Sequence, residues 1–113
     1  MRELGDRHGE AGAWDSVAYA HHHLGDHRQA VDGYEQALAR YRELGDRVSE
    51  AAVLIHLGDT QEATGDVTAA RDTWRQALRI FEDLDQPDAA EARVRLDRTE
   101  PPRLRVVRAN ISA

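Results

Sequence analysis

The sequence predicts an all-α fold in which antiparallel helical hairpins stack as two repeats and a short C-terminal helix caps them. Three observations carry that expectation. Segments recur forty positions apart; apolar residues recur at the 3.6-residue period of a helix; Gly-Asp pairs punctuate the pattern where helices should stop and start.

The repeat is explicit. Arg2-Glu3-Leu4-Gly5-Asp6-Arg7 returns as Arg42-Glu43-Leu44-Gly45-Asp46-Arg47, Glu10-Ala11 as Glu50-Ala51, and Gln36-Ala37-Leu38 as Gln76-Ala77-Leu78. Gly25-Asp26 returns as Gly65-Asp66, and Tyr34 and Tyr41 are matched by Trp74 and Phe81. A fixed period of this size marks units that bury their apolar faces by stacking. The repeats are expected over about residues 4–43 and 44–83, with a capping helix over about 86–98 and a basic tail over 99–113.

Each unit reads as two helices. The first carries Ala11, Trp14, Val17, Ala18 and His21 on one stripe, matched by Ala51, Leu54, Leu57, Gly58 and Gln61. The second carries Ala30, Tyr34, Ala37, Leu38 and Tyr41, matched by Ala70, Trp74, Ala77, Leu78 and Phe81. Gly25 and Gly65 suit the left-handed position that ends a helix. Asp26 and Asp66 are placed to cap the helix that follows, Asp26 with Gln29 as a capping box. Gly5-Asp6 and Gly45-Asp46 repeat the punctuation between units. Met1–Leu4 aligns with Tyr41–Leu44, so the chain is expected to open in the last turn of a preceding repeat, as a piece of a longer array. That would leave Ala11, Trp14 and Val17 uncovered. In the capping helix Pro87, Asp88 and Glu91 favour the N-terminal end and Arg93, Arg95 and Arg98 the C-terminal end.

The spacing of Trp14, Val17, Ala18, Gly25, Ala30, Tyr34 and Ala37, repeated by Leu54, Leu57, Gly58, Gly65, Ala70, Trp74 and Ala77, resembles the tetratricopeptide repeat signature. His21 and Gln61 stand where that family usually has an aromatic, and no Pro closes either second helix. The forty-residue unit with its Leu-Gly-Asp-Arg turn also looks like the repeats in the C-terminal sensor regions of actinobacterial antibiotic-regulatory transcription factors. This resemblance implies a protein-recognition module within a larger transcriptional regulator. It places the binding groove on the first helices, at Gly12, Asp15, Tyr19 and His22, continued by Ala52, Ile55, Asp59 and Glu62.

Composition narrows the chemistry. All 15 basic residues are Arg, and there is no Cys. A P-loop, a lysine Schiff base, thiolate catalysis and cysteine-based metal sites are therefore excluded. No apolar run approaches the roughly 20 residues that span a bilayer, and Met1-Arg2-Glu3 opens no signal peptide, so a cytoplasmic location is expected without membrane contact. Residues 1–92 hold 19 acids against 9 arginines, whereas residues 93–113 hold 6 arginines against 2 acids. The acidic body repels phosphates; contact with nucleic acid is confined to the tail, through Arg103, Arg105 and Arg108.

Four histidines crowd together as His21-His22-His23 and His27, but successive helical residues point about 100° apart, so no metal site or other cofactor is expected. Ser16, His56 and Asp59 form a catalytic triad only on paper, without a nucleophile turn or oxyanion hole; no enzyme is expected. Tyr19 and Ile55 lie off the core stripe, as interface anchors do, and Asp15, Asp59 and Glu62 favour a basic or polar ligand segment. Two further modes remain open: homodimerisation through the uncovered first helix, and docking of the basic tail in the acidic groove.

Overall fold

A computed structural model describes residues 2–101, with side chains from residue 6 onward. Five α-helices follow one another: α1 (Arg2–His23), α2 (His27–Leu44), α3 (Arg47–Ala63), α4 (Val67–Asp83) and α5 (Ala89–Arg98). No strand occurs among the described residues. α1 and α2 form one hairpin and α3 and α4 the next, α2 packs on α3, and α5 closes the stack against α4. Among the described residues no helix is long and apolar enough to cross a membrane.

The turns follow from local chemistry. Gly25, Gly45 and Gly65 take φ of 84°, 69° and 90°, where a Cβ would clash with backbone. Asp46 caps α3 by accepting from the Ser49 amide at 3.1 Å, and Asp66 caps α4 by accepting from the Ala69 amide at 3.1 Å. Asp26 differs from the expected capping box: it makes no side-chain cap bond to α2 and lies 3.5 Å from His21 Nδ1 instead. That approach completes no hydrogen bond on His21 Nδ1.

A second departure concerns Gly5-Asp6. α1 runs unbroken from Arg2 to His23, although the same pair at Gly45-Asp46 makes a turn. A Gly-Asp pair permits a turn without imposing one. At Gly45 the turn is held by the Gly45 and Asp46 amides, which donate to the Arg42 and Tyr41 carbonyls. Carrying a helix through a glycine costs only ~1 kcal/mol, and the continuing helix keeps its amides paired.

The core runs between the helices of each hairpin and across the α2–α3 seam. Trp74, Tyr34, Phe81, Leu54 and Val53 are its largest fully buried apolar side chains, each stabilising the fold by roughly 2 kcal/mol or more on burial. Close approach depends on small residues. At Gly58 an added Cβ would lie 2.3 Å from Trp74 Nε1, and at Gly33 it would lie 2.9 Å from the Ala18 Cβ. The Trp74 ring thus lies flush on the α3 backbone, where its Nε1–H donates to the Ile55 carbonyl at 3.3 Å.

Two apolar residues depart from the expected stripe in opposite senses. Val17 is 51% exposed, whereas its counterpart Leu57, on a helix that packs against the preceding hairpin, is 6% exposed. Ile55, expected in the groove, is 3% exposed; α3 is flanked on both sides by other helices, so its apolar arc is wider than that of α1. Ala11, expected to be uncovered, is fully buried.

Candidate functional site

α1, α3 and α5 share one face, and side chains stitch them together there. His22 Nδ1 lies 2.8 Å from Thr60 Oγ1, bridging α1 and α3. Thr60 Oγ1 also lies within hydrogen-bond distance of the His56 carbonyl, at 3.2 Å, so one hydroxyl joins the His22 ring to the α3 backbone. Burial lowers the His22 pKa, and His23, His27 and His56 lower it further against the opposing pull of Asp59. His22 is therefore a neutral, structural bridge at neutral pH.

Two of the face's carboxylates are already held. Arg95 of α5 grips Asp59 through Nε at 2.6 Å and Nη2 at 3.0 Å. Arg98 grips Glu62 at 2.7 and 2.9 Å. Both are two-pronged pairs, the strong geometry for guanidinium and carboxylate. The hydrogen bond from Arg98 leads the effects that lower the Glu62 pKa, and the bond to Asp59 leads those that raise the Arg95 pKa. The expected continuous acidic groove is thus neutralised along its α3–α5 half by the chain's own arginines. Sequence reasoning gave Arg95 and Arg98 only a role at the helix end. The excess of arginine after residue 92 was the signal available, but it does not say which carboxylates those arginines reach.

Asp15 stands apart. Its Oδ1 is buried and faces His56 Nδ1 at 3.5 Å, with no hydrogen bond completed on either atom. Tyr34 lies under the cluster, 5.9 Å from the His56 ring centre, and its phenol is pushed up in pKa by burial and then by Asp15 and Asp59. Tyr19 is 51% exposed. Its ring sits edge-on to His23 at 4.3 Å and to His56 at 5.9 Å. Asp15, Tyr19, His22 and Asp59 are therefore brought together with His56 and His23, Glu62 sits at the α5 end, and Ile55 is withdrawn into the core. Gly12 and Ala52 are partly exposed, Gly12 with its Cβ position 3.7 Å from the Tyr41 hydroxyl. Arg103, Arg105 and Arg108 lie outside the described residues.

His56 turns its Nδ1 toward Asp15, and Asp59 is committed to Arg95, so Ser16, His56 and Asp59 do not form a relay. Successive histidines fan around α1, His21 toward Asp26 and His22 toward Thr60. Among the described residues no three histidine or carboxylate side chains converge on a point where a metal ion would sit.

A second surface lies on the other side of α1. Glu10, Ala13, Trp14 and Val17 line a shallow apolar depression of about 240 Å³, edged by Arg40, whose guanidinium lies 5.4 Å from the Trp14 ring centre.

No curated protein matches the chain. The tetratricopeptide repeat family matches residues 9–83, both helical hairpins. With that match spanning most of its length and the stacked hairpins in place, the chain belongs to the tetratricopeptide repeat family.

Proposed function

We propose that the chain is a protein-recognition module, the regulatory part of a larger cytoplasmic transcriptional regulator, and that it binds a protein or peptide segment on the face of α1 and α3. Tetratricopeptide repeats mediate protein–protein interaction, and the chain belongs to them. The observation that carries the reading to this face is Tyr19, a large ring left half exposed beside an unpaired carboxylate edge and two imidazoles. A preformed aromatic anchor of this kind binds with little ordering cost. Support for the regulator context is the forty-residue unit with its Leu-Gly-Asp-Arg turn. A photo-crosslinking side chain at position 19, compared with one at exposed Glu35 on α2, tests the site. Capture of a protein from position 19 alone supports it, and equal capture from both positions contradicts it.

A second reading, homodimerisation, is favoured by the Ala13–Trp14–Val17 depression. α5 closes the other end of the stack, so self-association would pair two α1 faces about a two-fold axis. Val17→Glu should abolish any dimer seen by sedimentation equilibrium across a hundredfold concentration range. A monomer throughout that range removes this reading and leaves the first intact.

A further inference from the structure

The chain holds arginines in a recurring way. Arg40 donates through Nε to Glu10 at 2.6 Å while its guanidinium lies 5.4 Å from the Trp14 ring centre. Arg98 donates twice to Glu62 while its guanidinium lies 5.9 Å from the Trp74 ring centre. In both places a carboxylate takes the N–H fork and an aromatic ring lies against the flat cation. Asp15 and Tyr19 lie four residues apart on α1, and both adjoin His56, at 3.5 Å and 5.9 Å, so a carboxylate and an exposed ring again lie near one another. Among the described residues no arginine pairs with Asp15.

We propose that Asp15, Tyr19, His23 and His56 form a receptor for an arginine side chain carried by a partner protein; this rests on reading the α1–α3 face as the protein-binding surface. The Asp15 side chain is 29% exposed although its Oδ1 is buried against His56 without a hydrogen bond, so a carboxylate that lacks a full set of partners lies at the edge of the face. Tyr19 and His23, edge to face at 4.3 Å, continue the same helix face C-terminal to Asp15. The charge pattern selects the ligand. Arg95 and Arg98 neutralise Asp59 and Glu62, which leaves Asp15 as the carboxylate of this face that no arginine answers. A lysine would bring the charge without the planar fork that stacks on a ring, and an acidic side chain would meet Asp15 head-on.

The test is a titration of the isotopically labelled full chain with acetyl-Gly-Ala-Arg-Ala-Gly-amide and with the same peptide carrying citrulline, which keeps the shape and removes the charge. The arginine peptide is expected to shift the Tyr19, His23 and His56 ring signals saturably, and the citrulline peptide to bind at least tenfold more weakly. Asp15→Asn should weaken arginine binding at least fivefold. Tyr19→Leu, at an exposed position that leaves the core untouched, should weaken it at least threefold. Equal binding of the two peptides, or no change in either variant, would overturn the proposal. So would ring signals that move on changing Arg103, Arg105 and Arg108 to Gln, because the chain's own tail would then be the occupant. Capture of a partner from position 19 without any arginine preference would retain the protein-binding face and remove only the arginine receptor.

Discussion

The two hairpins solve one packing problem in opposite ways. In the first, α2 supplies the glycine: Gly33 lies against Ala18, and the ring beside it is the smaller Tyr34. In the second, α3 supplies it: Gly58 accepts the face of Trp74, and Thr73 occupies the position matching Gly33. The Thr73 hydroxyl then donates to Gln61 Oε1 at 2.6 Å, giving the larger side chain a polar partner across the hairpin. Repeats that look alike in sequence are therefore not interchangeable residue by residue. The size of the ring on the second helix sets which partner must be small.

The largest effect should come from Gly58→Ala. Its new Cβ would press into the buried Trp74 ring, and we expect a loss of about 2–3 kcal/mol by chemical denaturation despite the better helix propensity of alanine. Adding Trp74→Leu should recover part of that loss in a double-mutant cycle, while simple additivity would place the strain elsewhere. Gly33→Ala should cost less, about 1–2 kcal/mol net, because its nearest contact, the Ala18 Cβ, lies at 2.9 Å and not at the 2.3 Å found at Gly58.

The caps sharpen the contrast further. Asp46→Ala and Asp66→Ala should each cost about 1 kcal/mol through the lost bond to the helix amide. Asp26→Ala should fall below both, since it makes no such bond. Equal losses at all three positions would mean that the capping difference has no energetic weight.

The smallest effect is expected from pH. The His22 pKa is lowered in the folded chain, so the unfolded chain takes up the proton first as pH falls. Stability linked to His22 is therefore complete above the ordinary value of 6.5 and is lost as pH drops below it. Thermal melts between pH 7.5 and 5.5 should show a shallower decline in His22→Gln than in the parent chain.

The repeat, the hairpins and the turns at Gly25, Gly45 and Gly65 were legible because they depend on local chemistry repeated in register, whereas Gly5 is carried through inside α1. The apolar stripes of α2 and α4 were legible for the same reason, with Ala30, Tyr34, Ala37 and Leu38 and their counterparts Ala70, Trp74 and Ala77 in the core. What escaped depends on neighbours. Ile55 reads as an off-stripe anchor until α3 is known to be covered on both flanks, and Asp26 reads as a cap until His21 is found beside it. The α5 arginines escaped because each reaches a carboxylate 36 residues back, a pairing set by where the last helix lands. Tyr19 and Asp15 were recognisable as members of the face, whereas their company with His23 and His56 was not.

The binding surface proposed above is the α1–α3 face and not the outer helices. Hydrogen exchange on the full chain with and without the protein captured at position 19 tests it most directly. Added protection is expected to be confined to residues 12–23 and 52–63 of α1 and α3. Protection confined to the outer surfaces of α2 and α4, with α1 and α3 unchanged, would contradict it.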